Sequence, residues 1–469
     1  MKPIVQTSVM AIVAAATSLV AAYFYPWPET VVQSEIVGQP LFEPYQSLKV
    51  KTVRLQRYNP ETSQLEQLEI RRRGEQWVMP AYQNFTAIFA PQIGLTVNSL
   101  IEKTVLEERT DQQQDHLKYG VIDPTLYESM PNRSALGTKI ILEDANREVL
   151  GNLIVGSPVG EGRPNERGER KHFVCIPGQP NVYVVEFNPQ ALATDFRAWA
   201  DPNLFALSAQ PEEAIRVLEV SNSRQTPETL GQAEPKFQYR AGLNVNRQLQ
   251  LNLLKLEVPN EQGELVEQPG SPELQAQLQV VLGPLVNGIF ISDVRKKSSE
   301  VSQAMAEPTE DVADSVLSPL ETYGFRRVGF ENGNHRLDSL GGHVSVTKEN
   351  GVQINLHIGA LVTDAARQQV ELSHYVVLTA GVDESVFPVP QKPEASDDPE
   401  QADQDNKEYL RQVRQRDEKL DAARRIAGDL NRLHADWVYV IADSIITQLR
   451  PDLDMSAVTA AEPEAPAED

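Results

Sequence analysis

The sequence predicts an α+β fold: an N-terminal transmembrane helix, then two tandem, internally duplicated α+β modules with antiparallel sheets, the second holding a long helical insertion. Three observations predict it. The chain opens on an uncharged apolar run. A series of short motifs recurs in the same order about 200 residues later. Alternating and helical hydrophobic patterns are interleaved through both halves.

Ile4 to Tyr25 is 22 residues without a charge, about 33 Å of helix and enough to cross a bilayer core. Lys2 and the amino terminus are the only positive charges before Lys49, and Glu29 and Glu35 follow the run. Positive charge stays on the cytoplasmic side, so residues 1–28 are expected to be a single-pass anchor in the cytoplasmic membrane. The C-terminal bulk is then expected on the periplasmic or extracytoplasmic side. Tyr23, Phe24, Tyr25 and Trp27 stand where an interfacial aromatic belt would stand. Val20-Ala21-Ala22 offers the competing reading of a cleaved signal peptide. The full span length and the aromatic end favour a retained anchor, and both readings export the rest of the chain.

The repeat is a collinear series. Tyr119-Gly120-Val121 returns as Tyr323-Gly324-Phe325, an offset of 204 shared by Gly137 and Gly341. Gly156 matches Gly359 at 203, and His172-Phe173-Val174-Cys175 matches His374-Tyr375-Val376-Val377 at 202. Upstream, Pro60-Glu61-Thr62 matches Pro227-Glu228-Thr229. Val182-Tyr183-Val184-Val185 resembles Val438-Tyr439-Val440-Ile441, but at 256, which puts an insertion between about Gly381 and Trp437. The expected modules are 48–206 and 212–455. The insertion, 388–434, begins as an acidic linker with Glu394, Asp397, Asp398, Glu400, Asp403 and Asp405. A charged helix follows from Asn406 to about His434, with Val413, Leu420, Ala423, Ala427 and Leu430 as its stripe. A surface helix packed on its own domain is favoured over a protruding arm. Residues 456–469 are expected to be a disordered acidic tail.

Within the modules, strands are expected near Val50–Leu55 and Leu65–Arg72, and a helix around Pro91–Glu102. A second helix should start with Ser271 as cap, Pro272 first and Glu273 in the first turn, and Gly283-Pro284 should kink or divide it. One hairpin can be read to the register. Val344 and Val346 alternate with polar residues, as do Val352, Ile354, Leu356 and Ile358. A two-residue turn would mix the faces. A three-residue loop, Glu349-Asn350-Gly351, pairs Val346 with Ile354 and Val344 with Leu356. Gly351 should then be left-handed, the apolar face should pack on the 272–292 helix, and His343 should lie opposite His357.

That histidine pair supplies the metal candidates, since facing histidines could hold two corners of a zinc or copper site. No third ligand is assignable, and the first module has Lys139 and Ile154 at the equivalent positions. Exposed structural histidines are the favoured reading, and no metal or cofactor is expected. Gly156-Ser157-Pro158-Val159-Gly160-Glu161-Gly162 lacks the Lys-Ser/Thr of a phosphate loop and reads as a long hairpin loop. Arg71-Arg72-Arg73 reads as a solvated strand end. Cys175 reads as an inert buried thiol. Trp77, Trp199 and Trp437 read as core. The acid pair Glu107-Glu108 sits in a polar run. No hydrolase, zinc-protease or serine–lysine motif is present.

The formal charge of -23 argues against a nucleic-acid partner, which needs basic surface to displace counterions. One cysteine excludes an intrachain disulfide and a cysteine-built zinc site.

Several stretches in order resemble a known family. They are Gly74-Glu75-Gln76-Trp77-Val78-Met79-Pro80, then Ala87 and the helix through Leu100, and Tyr119-Gly120-Val121-Ile122-Asp123-Pro124. Leu153-Ile154-Val155-Gly156, Val182-Tyr183-Val184-Val185 and Phe196-Arg197-Ala198-Trp199 follow. The chain resembles the domain-of-unknown-function family numbered forty-three-forty, related to auxiliary subunits of gliding-motility-type ABC transport systems. The likeness covers roughly residues 50–206 and, through the internal match, the second module more loosely. It implies a repeated α+β domain outside the cytoplasmic membrane, association with an ABC-type transporter and no catalytic residues to carry over. With only one span, this chain would meet any transporter as a separate polypeptide. The expected function is therefore a non-catalytic, membrane-anchored exported scaffold or accessory protein with a membrane-protein partner. The alternative is a binding module for an envelope polymer, peptide or solute, with a groove between the modules.

Overall fold

The structure is a computed structural model, which describes residues 36–86, 88–205, 207, 215–222, 236–246, 250–301, 319–329, 335–362, 372–393 and 399–454. The opening run 4–25, Ala87, Pro227-Glu228-Thr229, the acids Glu394, Asp397 and Asp398, and the 456–469 tail lie outside the described residues. No helix among the described residues is long and apolar enough to cross a membrane. The fold is mixed α and β, with antiparallel sheets and a long helix near the C-terminus. Contacts divide the chain into two compact units, one of residues 1–67 and 96–192, the other of residues 68–95 and 193–469.

The first sheet is built from β1 (Thr52–Asn59), β2 (Gln64–Arg73), β3 (Gln76–Val78), β4 (Glu107–Thr110), β5 (Thr138–Glu143), β6 (Val149–Pro158), β7 (Arg170–Cys175) and β8 (Val182–Phe187). Its order is β3-β2-β1-β5-β6-β7-β8-β4. Alternation drives the core face: Ile140 pairs with Leu153 and Val155 with Val174, and all four are buried. Arg71, Arg72 and Arg73 pair with Val78, Trp77 and Gln76 around Gly74 at φ 58°, so the basic run is a strand end entering a turn.

The second sheet contains β9 (Ile215–Asn222), β10 (Lys236–Val245), β11 (Leu251–Pro259), β12 (Leu265–Gln268) and β13 (Ile291–Lys296). A separate ribbon, β14 (Phe325–Gly329) with β15 (His335–Ser339), precedes β16 (Gly342–Lys348), β17 (Val352–Leu361), β18 (Ser373–Val382) and β19 (Trp437–Ala442). The order is β12-β11-β10-β9-β16-β17-β18-β19-β13. The walk β9-β16-β17-β18-β19-β13 thus repeats the walk β1-β5-β6-β7-β8-β4.

The hairpin register is the one the alternation predicts. Val346 pairs with Ile354, Val344 with Leu356 and His343 with His357, and Gly351 has φ 78°. Ser271 caps the helix Pro272–Leu278 by accepting from the Leu274 N–H at 3.2 Å. Pro284 divides the segment. A 3-10 turn at Gln279–Val281 separates it from a helix over Leu282–Asn287, because the proline removes an N–H and its ring crowds the carbonyl four residues back.

Two expectations are corrected. The acidic linker does not extend to Asp405, because the helix begins at Pro399 and runs 36 residues to His434. Proline suits a first helical turn, and acids there complement the positive end of the helix dipole. Lys407 meets Asp403 at 2.6 Å and Gln401 meets Asp405 at 2.8 Å, four residues apart in each case. Glu107-Glu108 is not a solvated run either. It lies in β4, where Glu108 pairs with Tyr183, is buried and accepts from Asn181 at 2.6 Å.

The C-terminal half of the long helix buries Leu420, Ala423, Ala427 and Leu430 beside β18 and β17. β19 pairs with β18 only from Ser373 to Val376. Past that point the Asn431 amide donates to the Ala380 carbonyl and accepts from its N–H, both at 2.8 Å. A side chain therefore stands where a strand is missing. The β11 edge is treated alike, with the Leu251 and Leu253 N–H groups donating to Gln279 and Gln275.

Candidate functional site

In the first unit, Tyr119 ends a short helix and Gly120 turns the chain at φ 69°. The Tyr119 carbonyl then faces β6 at Gly156. A Cβ there would lie 2.5 Å from Tyr119 O and 2.7 Å from Val121 Cγ1, so only glycine fits. Gly137 has the same constraint against Ile154 and Val155 O. The Tyr119 and Phe173 rings pack at 4.6 Å, and Tyr119, Val121, Ile154, Cys175 and Val182 form one cluster. His172 Nδ1 donates to the Gly156 carbonyl at 3.1 Å.

The second unit contains the same construction. Gly324 has φ 83°, the Ala360 N–H donates to Tyr323 O at 2.8 Å, and a Cβ on Gly359 would collide with Tyr323 O. Tyr323 and Tyr375 pack at 4.4 Å, and His374 Nδ1 donates to the Gly359 carbonyl at 3.1 Å. The two differ at the far nitrogen. His374 Nε2 meets Asp443 Oδ1 at 3.0 Å, and that hydrogen bond holds Asp443 below the usual carboxylate range. Arg450 donates to the Gly341 carbonyl at 2.6 Å, and burial pushes its guanidinium down to about 10. In the first unit His172 Nε2 is buried with no partner among the described residues, and desolvation lowers its pKa.

His343 and His357 do face each other on the polar side of the second sheet, but both are half-buried there rather than exposed. One lateral row there runs Glu257, Arg240, Glu219, Ser345, Asn355, Thr379 through successive strand pairs. Arg240 meets Glu219 at 3.1 Å, and burial pushes the Glu219 carboxyl up despite that partner. His357 Nε2 lies 2.9 Å from Thr379 Oγ1. Hydroxyl and imidazole at that distance could begin a nucleophile–base pair, but Thr379 is 1 % exposed. Among the described residues no three His, Cys, Asp or Glu side chains converge as a metal site would need.

Cys175 is buried 3.9 Å from His116 Nε2, and desolvation raises its thiol to about 11. It is a poor nucleophile, because the thiolate is the reactive form. Trp199 and Trp437 are buried, whereas Trp77 is only half-buried.

Sequence reasoning missed Lys297 and His434. The helix ends at His434, whose ring stacks on Phe205 at 5.6 Å and whose Nδ1 lies 2.8 Å from the Tyr439 hydroxyl. Burial pushes that imidazole down to about 3. Lys297 donates to the His434 and Ala435 carbonyls, closing the helix C-terminus. Only a lysine following β13 marked it in the sequence, and such lysines are usually solvated.

Burial pushes the Lys297 ammonium from 10.5 down to about 7. Above about pH 7 the unfolded chain therefore holds a proton that the folded chain has lost, and stability should rise with pH by up to ~1.4 kcal/mol per unit. That contribution is complete above the unfolded value and is lost as pH falls through the folded one. Denaturation of Lys297→Met between about pH 7 and 8.5 should lack this slope. An unchanged slope would contradict the assignment.

No family model, no curated protein and no solved structure matches this chain.

Proposed function

We propose that this chain is a membrane-anchored, exported, non-catalytic scaffold or accessory protein built from two copies of one α+β module. It would work beside a separate membrane partner, with ABC-type transporter subunits as the expected class. One observation carries the reading: the tyrosine–glycine–histidine packing of Tyr119, Gly156 and His172 recurs at Tyr323, Gly359 and His374. The matching strand walks support the duplication. Several reactive side chains among the described residues serve the packing. His172 and His374 hold glycine carbonyls, His434 is buried against Tyr439, and the Cys175 thiol is raised. Export rests on the uncharged run 4–25 and the charge order around it.

Crosslinking in native membranes followed by mass spectrometry tests this. Integral membrane proteins, transporter subunits among them, are expected in the crosslinked fraction. Recovery of this chain alone would overturn the proposal.

The second reading, an envelope polymer or peptide binder, draws on Tyr58 and Tyr127. Their rings stack at 5.9 Å with Arg133 5.4 Å over Tyr58. Aromatic faces with a neighbouring cation suit sugar or peptide contacts. A thermal shift with an oligosaccharide or peptide panel, lost in Tyr58→Ala, would favour it.

A further inference from the structure

We propose that the free border of β12 in the second sheet takes an added strand from a partner polypeptide, a short extended segment that sets a basic residue opposite Glu267. The proposal adds a docking surface to the scaffold reading and does not depend on the membrane tether.

β12 ends the order of the second sheet, and no strand among the described residues pairs with its outer side. The β11–β12 hairpin turns at Gly263, with φ 82°, and the Asn260 N–H donates to the Glu264 carbonyl at 2.8 Å. That bond fixes the alternation along the ladder. Val266 and Gln268 turn their backbone groups inward to Val258 and Leu256, and Leu265 and Glu267 turn theirs outward. The outward N–H and C=O groups of Leu265 and Glu267 have no partner among the described residues.

Other borders of this sheet are closed by side chains. On β13 the Val294 N–H donates to Asp293 at 2.9 Å, the Val294 carbonyl accepts from Arg295 at 3.1 Å, and the Lys296 N–H donates to Gln83 at 2.8 Å. On β18 the Asn431 amide takes both groups of Ala380, and on β11 Gln279 and Gln275 take the Leu251 and Leu253 N–H groups. A bare edge invites strand addition, and covering it is a defence. β12 has no such closure among the described residues, and it exposes Leu265 at 43 % and Val266 at 41 %, one on each face. Extending the matched walks sets β3-β2-β1 against β11-β10-β9, so β12 is an addition of the second sheet.

Charge selects the occupant. A lateral row runs Glu219, Arg240, Glu257, Glu267 through successive pairs, and it alternates in sign until its outer end, where Glu257 and Glu267 stand opposite each other. Lys255 bridges them, 2.8 Å from Glu257 and 3.5 Å from Glu267. The next position outward belongs to the added strand, and a lysine or arginine there would face Glu267 and restore the alternation. Glu261 and Glu264 near the hairpin tip are exposed acids as well. A second copy of the hairpin would bring four acids against four, with a single Lys255 on each side, in a chain of formal charge -23. A basic segment of another polypeptide avoids that repulsion. Main-chain bonds to Leu265 and Glu267 would supply the affinity, and the alternate side chains the selectivity. The cleft where the loop between β6 and β7 folds back on β7 offers no such choice, since adjacent Arg170 and Lys171 point to opposite faces of that strand.

The test titrates the full chain, in neutral detergent at low salt, into a fluorescein-labelled peptide of sequence Thr-Lys-Val-Val-Thr, read by anisotropy. Paired antiparallel to β12, its lysine faces Glu267 and its two valines face Val266 and Leu265. The peptide should bind. N-methylation at the lysine and the second valine, the amides aimed at β12, should weaken binding about tenfold. Glutamate in place of the lysine should also weaken it, and Glu267→Lys should reverse that preference. The Glu267 side chain is 67 % exposed, so this variant leaves the core untouched. Failure of the lysine peptide to bind, equal binding of the methylated peptide, or a preference unchanged in Glu267→Lys would overturn the proposal. A disulfide-linked dimer of Val266→Cys, in a chain whose own Cys175 is buried, would assign the border to a second copy and overturn it too. None of these outcomes bears on the crosslinking test of the scaffold reading.

Discussion

Trp199→Ala should lower the unfolding free energy by about 4 kcal/mol, measured by equilibrium denaturation in guanidinium. Trp199 is 0 % exposed, so truncation leaves a cavity the size of an indole. Its Nε1 donates to the Ala193 carbonyl at 2.8 Å, and its own carbonyl accepts from the Phe89 N–H at 2.7 Å. The substitution therefore removes packing and also leaves the Ala193 carbonyl without that donor, itself a cost of about 1–3 kcal/mol when the carbonyl stays dry. Trp199→Phe separates the two contributions. It keeps most of the apolar area and should cost about half as much. A loss below about 1 kcal/mol for Trp199→Ala would show that the indole is not a core anchor.

Gly156→Ala and Gly359→Ala should each cost about 3 kcal/mol. The added methyl meets backbone in both cases, the Tyr119 carbonyl in the first unit and the Tyr323 carbonyl in the second. Backbone cannot step aside as a flexible side chain can, so the strand or the Tyr-Gly turn must move. Gly94→Ala is the control of opposite sign. Gly94 lies inside the helix Ala90–Asn98, and a methyl added to it would have nothing within 4 Å. Alanine should stabilise that helix by roughly 0.5–1 kcal/mol. If all three behaved alike, crowding at the two strand glycines would be refuted.

Much of this construction is legible in the sequence. The hairpin register follows from alternation, because one wrong loop length would put Asn355 against Val346 and bury amide against valine. The Ser271-Pro272-Glu273 start and the break ahead of Pro284 follow from backbone chemistry. Features set by distant pairing are not legible. Glu108 is buried because β4 joins β8, whose residues lie more than seventy positions away. Lys297 is buried because a helix begun at Pro399 ends beside it. Acid-rich sequence from Glu400 reads as solvated linker, and it is helical because the first-turn proline and four-apart pairs supply what composition does not show. Of the candidate sites, the His343–His357 pairing is readable from register alone. The β6–β7 cleft is not, since it forms only where the loop folds back on β7.

The amide of Asn431 gives the long helix a further role. Seated on Ala380, it occupies the N–H and carbonyl of that residue on the border of β18 beyond the reach of β19. Lifting the helix would bare an N–H and a carbonyl aimed outward, ready to template a neighbour. A strand added along this border would therefore have to displace the Asn431 amide from Ala380 first.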